Sequence, residues 1–183
     1  MTSPPKFETA VFGGGCFWCT EAAFAVLKGV LSVIPGYTGG TKVKPTYEEV
    51  SGGNTGHTEV IQVQFDPSII TYDDLLTVFF TVHDPTQRGG QGNDIGTQYK
   101  SAIFYTSATQ KETAERLIGE LTETKAYEKP IVTEINPLGV FYPAEQDHRE
   151  YYKRNTDAPY CQIVIAPKLK RLQDRFFALL RHE

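Results

Sequence analysis

Apolar positions along the chain fall into alternating runs and helical stripes, separated by stretches rich in glycine, proline and threonine. Residues Phe7–Phe12 read as a strand that ends at Gly13-Gly14-Gly15. From Cys16 to about Leu27 the spacing turns helical, with Ala23, Phe24 and Leu27 on one face. Val30–Ile34 predicts a second strand, and Pro35–Gly56 reads as one long loop. A loop of that length inside a compact domain is usually functional. His57–Phe65 alternates as a strand and stops at Asp66-Pro67. Thr71, followed at a capping-box distance by Asp74, marks a helix start, and Leu75, Leu76, Val78 and Phe79 form its apolar face.

A second glycine-rich loop, Asp84–Gly96, precedes a strand at Ser101–Tyr105. A helix follows over about Thr109–Thr122, with Ala114, Leu117, Ile118 and Leu121 turned inward. Ile131–Ile135 predicts another strand, a helix from about Ala144 carries Asp147-His148, and an amphipathic helix spans Leu169–Leu180. No repeat or linker interrupts this succession, which predicts a single domain over residues 1–183. Strands interspersed with helices predict a helix-covered sheet of α/β or α+β type.

The 183 residues are enough for one real core. The formal net charge is −4, and lysine and arginine are scattered, so no positive stripe is available for nucleic acid. No apolar run is long enough to span a bilayer. Met1-Thr2-Ser3-Pro4-Pro5-Lys6 has one basic residue and no apolar core, so it does not read as a signal peptide. These features predict a cytoplasmic protein with no membrane or nucleic-acid partner. In a reducing compartment Cys16, Cys19 and Cys161 read as free, metal-bound or catalytic rather than as a disulfide framework.

Cys16 follows three glycines at the start of a helix. Unpaired backbone N–H groups and the helix dipole are expected to stabilise a thiolate there and lower its pKa. The glycines are expected to let a substrate approach the backbone. Phe17 and Trp18 suggest a small apolar pocket beside the thiol, although a buried cysteine with core aromatics has the same sequence. Cys16 and Cys19 form a Cys-x-x-Cys pair, the spacing of a redox motif and of half a zinc site. Glu59 is a general acid if burial raises its pKa, and otherwise a solvated strand-start carboxylate. Tyr47 and Tyr99 lie in or at the ends of the long loops, where phenols either donate to a polar oxygen or simply pack. Asp147-His148 is equally open.

Together these segments resemble the A-type peptide methionine sulfoxide reductases. The resemblance rests on Gly15-Cys16-Phe17-Trp18, Gly36-Tyr37-Thr38-Gly39-Gly40, Pro45-Thr46-Tyr47-Glu48-Glu49-Val50 and Gly56-His57-Thr58-Glu59. It continues through His83-Asp84-Pro85-Thr86, Gln91-Gly92-Asn93-Asp94, Gly96-Thr97-Gln98-Tyr99-Lys100-Ser101 and Phe141-Tyr142-Pro143-Ala144-Glu145 with Asp147-His148. It implies an α+β fold of the α/β plait (ferredoxin-like) kind, with a mixed sheet packed on helices and long irregular loops. It implies reduction of methionine S-sulfoxide, free or in oxidised proteins, as repair of oxidative damage. Cys16 is then the nucleophile, Phe17 and Trp18 hold the S-methyl group, and Glu59 protonates the sulfoxide oxygen. Tyr47 and Tyr99 donate hydrogen bonds to that oxygen, and Asp94 and His57 belong to the substrate site. A sulfenic acid on Cys16 condenses with a second thiol, and thioredoxin restores the enzyme. Cys161 is the expected resolving cysteine, with Cys19 as the alternative. The resemblance implies a monomer without metal or other cofactor.

Two rivals share single motifs. A zinc hydrolase would use His57-x-Glu59 with Cys16-x-x-Cys19, in the reverse of the deaminase order. A non-catalytic module would use the aromatic pocket to hold methionine-like side chains. Neither accounts for the joint order of the motifs.

Overall fold

The computed structural model describes residues 6–182, so the stretch Met1–Pro5, read above for a leader, lies outside the described residues. A six-stranded mixed sheet forms the centre. Its strands are β1 (Glu8–Gly14), β2 (Val30–Thr38), β3 (Thr58–Phe65), β6 (Ser101–Tyr105), β7 (Glu134–Pro137) and β8 (Tyr142–Pro143), in the order β7-β6-β1-β3-β2-β8. Only β6 and β7 run parallel. A separate hairpin pairs β4 (Gly90–Gln91) with β5 (Asp94–Ile95). The helices are α1 (Phe17–Ala25), α2 (Tyr47–Ser51), α3 (Tyr72–Val82), α4 (Ala108–Glu123), α5 (Tyr151–Arg154) and α6 (Ala166–Phe176). Among the described residues no helix is long and apolar enough to cross a membrane.

Strand alternation sorts the core onto two faces. Ala10, Phe12, Ile61, Val63 and Ile103 point to the face that carries the helices, where they meet Phe24 of α1, Leu75 and Phe79 of α3, Ala114 of α4 and Leu172 of α6. Val11, Val60, Ala102 and Phe104 form a small cluster on the other face under Leu138 and Phe141. Phe12 lies within 5.5 Å of Phe24 and 5.0 Å of Phe79, centroid to centroid, which ties α1 and α3 to the central strand. The capping box read at Thr71 forms as expected: Asp74 N–H donates to Thr71 Oγ1, and Thr71 N–H donates to Asp74 Oδ2.

The structure differs from the sequence reading in several places: the strand expected over Ile131–Ile135 runs over Glu134–Pro137, and the loop Asp84–Gly96 holds the β4–β5 hairpin. The loop expected over Pro35–Gly56 contains the second half of β2 and the short helix α2, whose Thr46–Glu49 capping box supplies its start. β2 continues through Pro35-Gly36 because β3 and β8 pair with it on both edges there. Asp147-His148 sits in a single 3-10 turn, Gln146–His148, rather than in a helix from Ala144. The tail helix starts three residues early, at Ala166, behind a π-helical turn over Cys161–Ile165. Pro167 sits in the first turn of that helix, directly after the π-helical turn.

Gly36 marks the tightest of these pairings. A Cβ there would lie 2.4 Å from Tyr142 O and 2.5 Å from the Phe141 ring. Gly36→Ala is therefore expected to push β8 off β2 and lower unfolding free energy by about 1–3 kcal/mol. Urea unfolding of the purified variant checks this.

Candidate active site

Cys16 is the N-cap residue of α1, and Gly13-Gly14-Gly15 lead into it from β1. The glycines serve the protein's own packing. A Cβ on Gly13 would sit 2.8 Å from Thr58 Cγ2, and one on Gly14 would sit 3.1 Å from the Phe79 ring. Gly15 has φ +91°, and a Cβ there would strike Gln91 at 2.7 Å. The expected substrate approach is thus replaced by close approach of β3, α3 and the β4 loop.

Glu59 arrives opposite Cys16 from β3, which pairs directly with β1. Its side chain is 1% exposed. Phe17 N–H donates to its Oε2 at 3.1 Å, and its Oε1 has no protein partner. Burial pushes its pKa up to about 8, against the Phe17 N–H, with Asp94 and Cys19 adding to the rise. Glu59 is therefore a protonated acid near neutral pH, with Oε1 as the oxygen free to donate.

The thiols differ from expectation. Cys16 and Cys19 pack together in one buried cluster. The neighbouring Cys19, burial and Glu59 hold the Cys16 thiol well above its usual range, against the lowering expected at a helix start. The neighbouring Cys16 lowers Cys19 to about 7, against burial and with help from Lys168 and Tyr160. Cys16 faces an acid, whereas Cys19 faces a lysine. Cys161 is fully buried in the same cluster, its pKa raised by burial and by Cys19.

Aromatic rings wall this centre. Trp18 stacks on Tyr151 at 3.7 Å and 8°, and lies 5.8 Å from His148 and 6.4 Å from Tyr47. Tyr47 stacks on His148 at 4.1 Å, and Phe17 packs against both. Burial, then Glu59 and Cys16, push Tyr47 up to about 12. Tyr99 is pushed up by burial and then by Glu59. Both phenols thus stay protonated beside the acid and the thiol. Asp94 accepts from Tyr160 O–H at 2.7 Å, and that oxygen lies 3.5 Å from Cys19 Sγ.

Of the residues singled out in the sequence, Cys16, Phe17, Trp18, Cys19, Tyr47, Glu59, Asp94, Tyr99 and Cys161 converge here. His57 does not present a polar atom to the centre. Gly40 N–H donates to its Nδ1 at 3.1 Å, so its Nε2 carries the proton and donates to Lys42 O at 2.7 Å. The ring fastens the loop after β2 instead. Among the described residues no group of three or more His, Cys, Asp or Glu side chains is arranged to hold a metal ion. Tyr151 and Tyr160 escaped the sequence reading, and His148 stayed undecided there.

An activatable thiol facing a protonated carboxyl, with further thiols in reach, is the equipment of a thiol oxidoreductase. The family profile described as peptide methionine sulfoxide reductase matches residues 8–179. The peptide methionine sulfoxide reductase MsrA of Thermus thermophilus is 55% identical over 95% of this chain and 98% of its own. Reduced Mxr1 from Saccharomyces cerevisiae superposes with a TM-score of 0.80 at 32% identity, over 88% of this chain and 92% of that one. Mxr1 in complex with Trx2 superposes with a TM-score of 0.57 at 24% identity, over 82% and 88%. The chain belongs to the peptide methionine sulfoxide reductase family and is an oxidoreductase of that kind.

The buried acid has a measurable signature. Its folded pKa lies above the ordinary value of 4.5, so the stability it contributes is full below that value and is lost as pH rises through about 8. Glu59→Gln mimics the protonated form. The variant is expected to match the parent in unfolding free energy near pH 4.5 and to exceed it at pH 9. Parallel denaturant titrations at the two pH values check this.

Proposed function

We propose that the protein reduces methionine S-sulfoxide, free or in proteins, through the steps below. The observation that carries this reading is Glu59, a carboxyl kept protonated by burial and anchored by one oxygen to the first N–H of the helix that Cys16 caps. A sulfoxide oxygen leaves poorly unless it is protonated, and Glu59 Oε1 is the donor. Tyr47 and Tyr99, both held protonated, donate to the same oxygen. Phe17 and Trp18 hold the S-methyl group, and Asp94 orders the site through Tyr160. His57 acts on substrate only by fixing the loop behind Gly40.

The Cys19 thiolate, packed beside Cys16, takes up the Cys16 proton. Cys16 then attacks the sulfoxide sulfur, Glu59 protonates the oxygen, and the oxygen passes to Cys16 as the sulfide leaves. The products are methionine and Cys16 sulfenic acid. Condensation with a second thiol expels water and forms a disulfide. The resemblance implies Cys161 for this step, with Cys19 as the alternative; all three thiols lie in one buried cluster, and the closeness of Cys19 in the chain to Cys16 makes it our choice. Mxr1 has been solved with Trx2, and thioredoxin is the reductant we infer for this chain.

Three free thiols among the described residues fit a reducing cytosol. The order β6-β1-β3-β2, with α1 and α3 as crossovers, supports the ferredoxin-like plait within one domain and a site complete in one monomer. No metal or other cofactor enters these steps.

Incubation with dithiothreitol and each epimer of blocked methionine sulfoxide is expected to yield methionine from the S-epimer only. Cys16→Ser abolishes turnover, and Glu59→Gln slows methionine formation by about 10²- to 10⁴-fold. Absence of S-epimer reduction overturns the reading. Mass spectrometry of the protein trapped after one turnover is expected to find Cys16 joined to Cys19. A Cys16–Cys161 bond with Cys19 free overturns that assignment.

A further inference from the structure

We propose that Glu21 is a positioning residue that fixes the Tyr151 ring on Trp18 and so sets the shape of the aromatic wall. The inference rests on the sulfoxide-reductase reading, because the wall is taken to hold substrate.

Glu21 lies one turn after Trp18 on α1 and is 4% exposed. A carboxylate so deeply buried needs a reason, because leaving water costs it more than an alanine or leucine. No cation pairs with it within salt-bridge distance among the described residues. Instead the N–H of Glu150, the residue before Tyr151, donates to its Oε1 at 2.7 Å. This partner lies 129 positions away in sequence. Glu150 adopts φ 51°, a left-handed conformation unusual for a residue with a side chain. The carboxylate thus grips the backbone at the point where the chain turns into α5, and the next ring along that chain is Tyr151.

The geometry makes the consequence specific. Trp18 and Glu21 are neighbours on one side of α1. One carries the indole, and the other carries the clamp for the chain whose ring covers that indole at 3.7 Å and 8°. A face-to-face stack so close and so parallel requires that both backbones be held, and Glu21 holds the second. The same chain continues to Tyr160 and Cys161, so the clamp also sets where the C-terminal thiol segment begins.

Trp18 is the only tryptophan in the chain, and its fluorescence reports the stack directly. Glu21→Ala is expected to shift Trp18 emission to the red, as Tyr151→Leu does. It is expected to raise KM for blocked methionine S-sulfoxide on the order of tenfold while kcat changes less. Glu21→Gln keeps an acceptor oxygen and is expected to restore both readings most of the way. In the double variant Glu21→Ala/Tyr151→Leu the KM effect is expected not to exceed that of Tyr151→Leu alone, because one residue acts through the other. Unchanged emission in Glu21→Ala overturns the proposal, as does an additive double variant. If Glu21→Ala fails to fold, Glu21→Gln with a wild-type emission and KM supports the clamp, and a Gln variant matching Tyr151→Leu overturns it. A wild-type protein that reduces no sulfoxide refutes the functional reading, yet the emission comparison still tests the clamp.

Discussion

The contact between Phe17 N–H and Glu59 is the constraint around which the site is arranged. A helix begins with N–H groups that lack partners, and a buried carboxyl lacks solvent, so each is completed by the other. The exchange is incomplete by design of the packing: one N–H satisfies one oxygen and leaves Oε1 unpaired. One hydrogen bond is too little to offset burial, which is why the carboxyl keeps its proton near neutral pH. The contact also demands that β1, the glycine turn and β3 lie closer than side chains allow. Gly13 meets Thr58 and the Glu59 carbonyl, and Gly14 meets Phe79 and Thr20. The glycine run is therefore a condition for the acid to reach the start of α1.

Acid and thiols are adjusted together. The neighbouring Cys19 and burial hold the Cys16 thiol up, whereas Cys16 and Lys168 lower Cys19 against burial. His83 shows the opposite use of burial. Its Nδ1–H donates to Phe79 O and its Nε2 accepts from Ser101, with burial lowering its pKa to about 4. It remains neutral because burial disfavours the charged ring, and it braces α3 against β6.

Much of this was legible along the chain, for physical reasons that differ by segment. His57–Phe65 alternates because β3 has helices on one face and a thin apolar cover on the other. Thr71 and Asp74 announce α3 because a capping box is local chemistry. The second half of β2 was hidden, because a segment containing Pro35 and Gly36 becomes a strand only when two neighbours pair with it. The place of Cys16 at the start of a helix was legible and its electrostatic surroundings were not, since position on a helix is local but Glu59 comes from a distant strand. Tyr151 and Tyr160 were invisible for the same reason: nothing near them in sequence marks them as facing Trp18.

The wall that faces the thiol is thus built from both ends of the chain, and magnitudes decide what holds it. A stacked aromatic pair contributes about 0.5–1.5 kcal/mol beyond its buried area, which is comparable to the entropy of fixing one residue. Stacking alone does not hold a segment in one place. Hydrogen bonds to a charged group contribute about 1.5–3 kcal/mol each. Two glutamates anchor these backbones: Glu145 accepts from Tyr37 O–H and Tyr47 N–H, and Glu21, its pKa pushed up to about 7 by burial, accepts from Glu150 N–H before α5. Glu145 fastens the segment to the strand that pairs with Glu59, and Glu21 fastens it to the helix that Cys16 caps. The aromatic rings then meet because acids on either side of the centre fix the backbones that carry them.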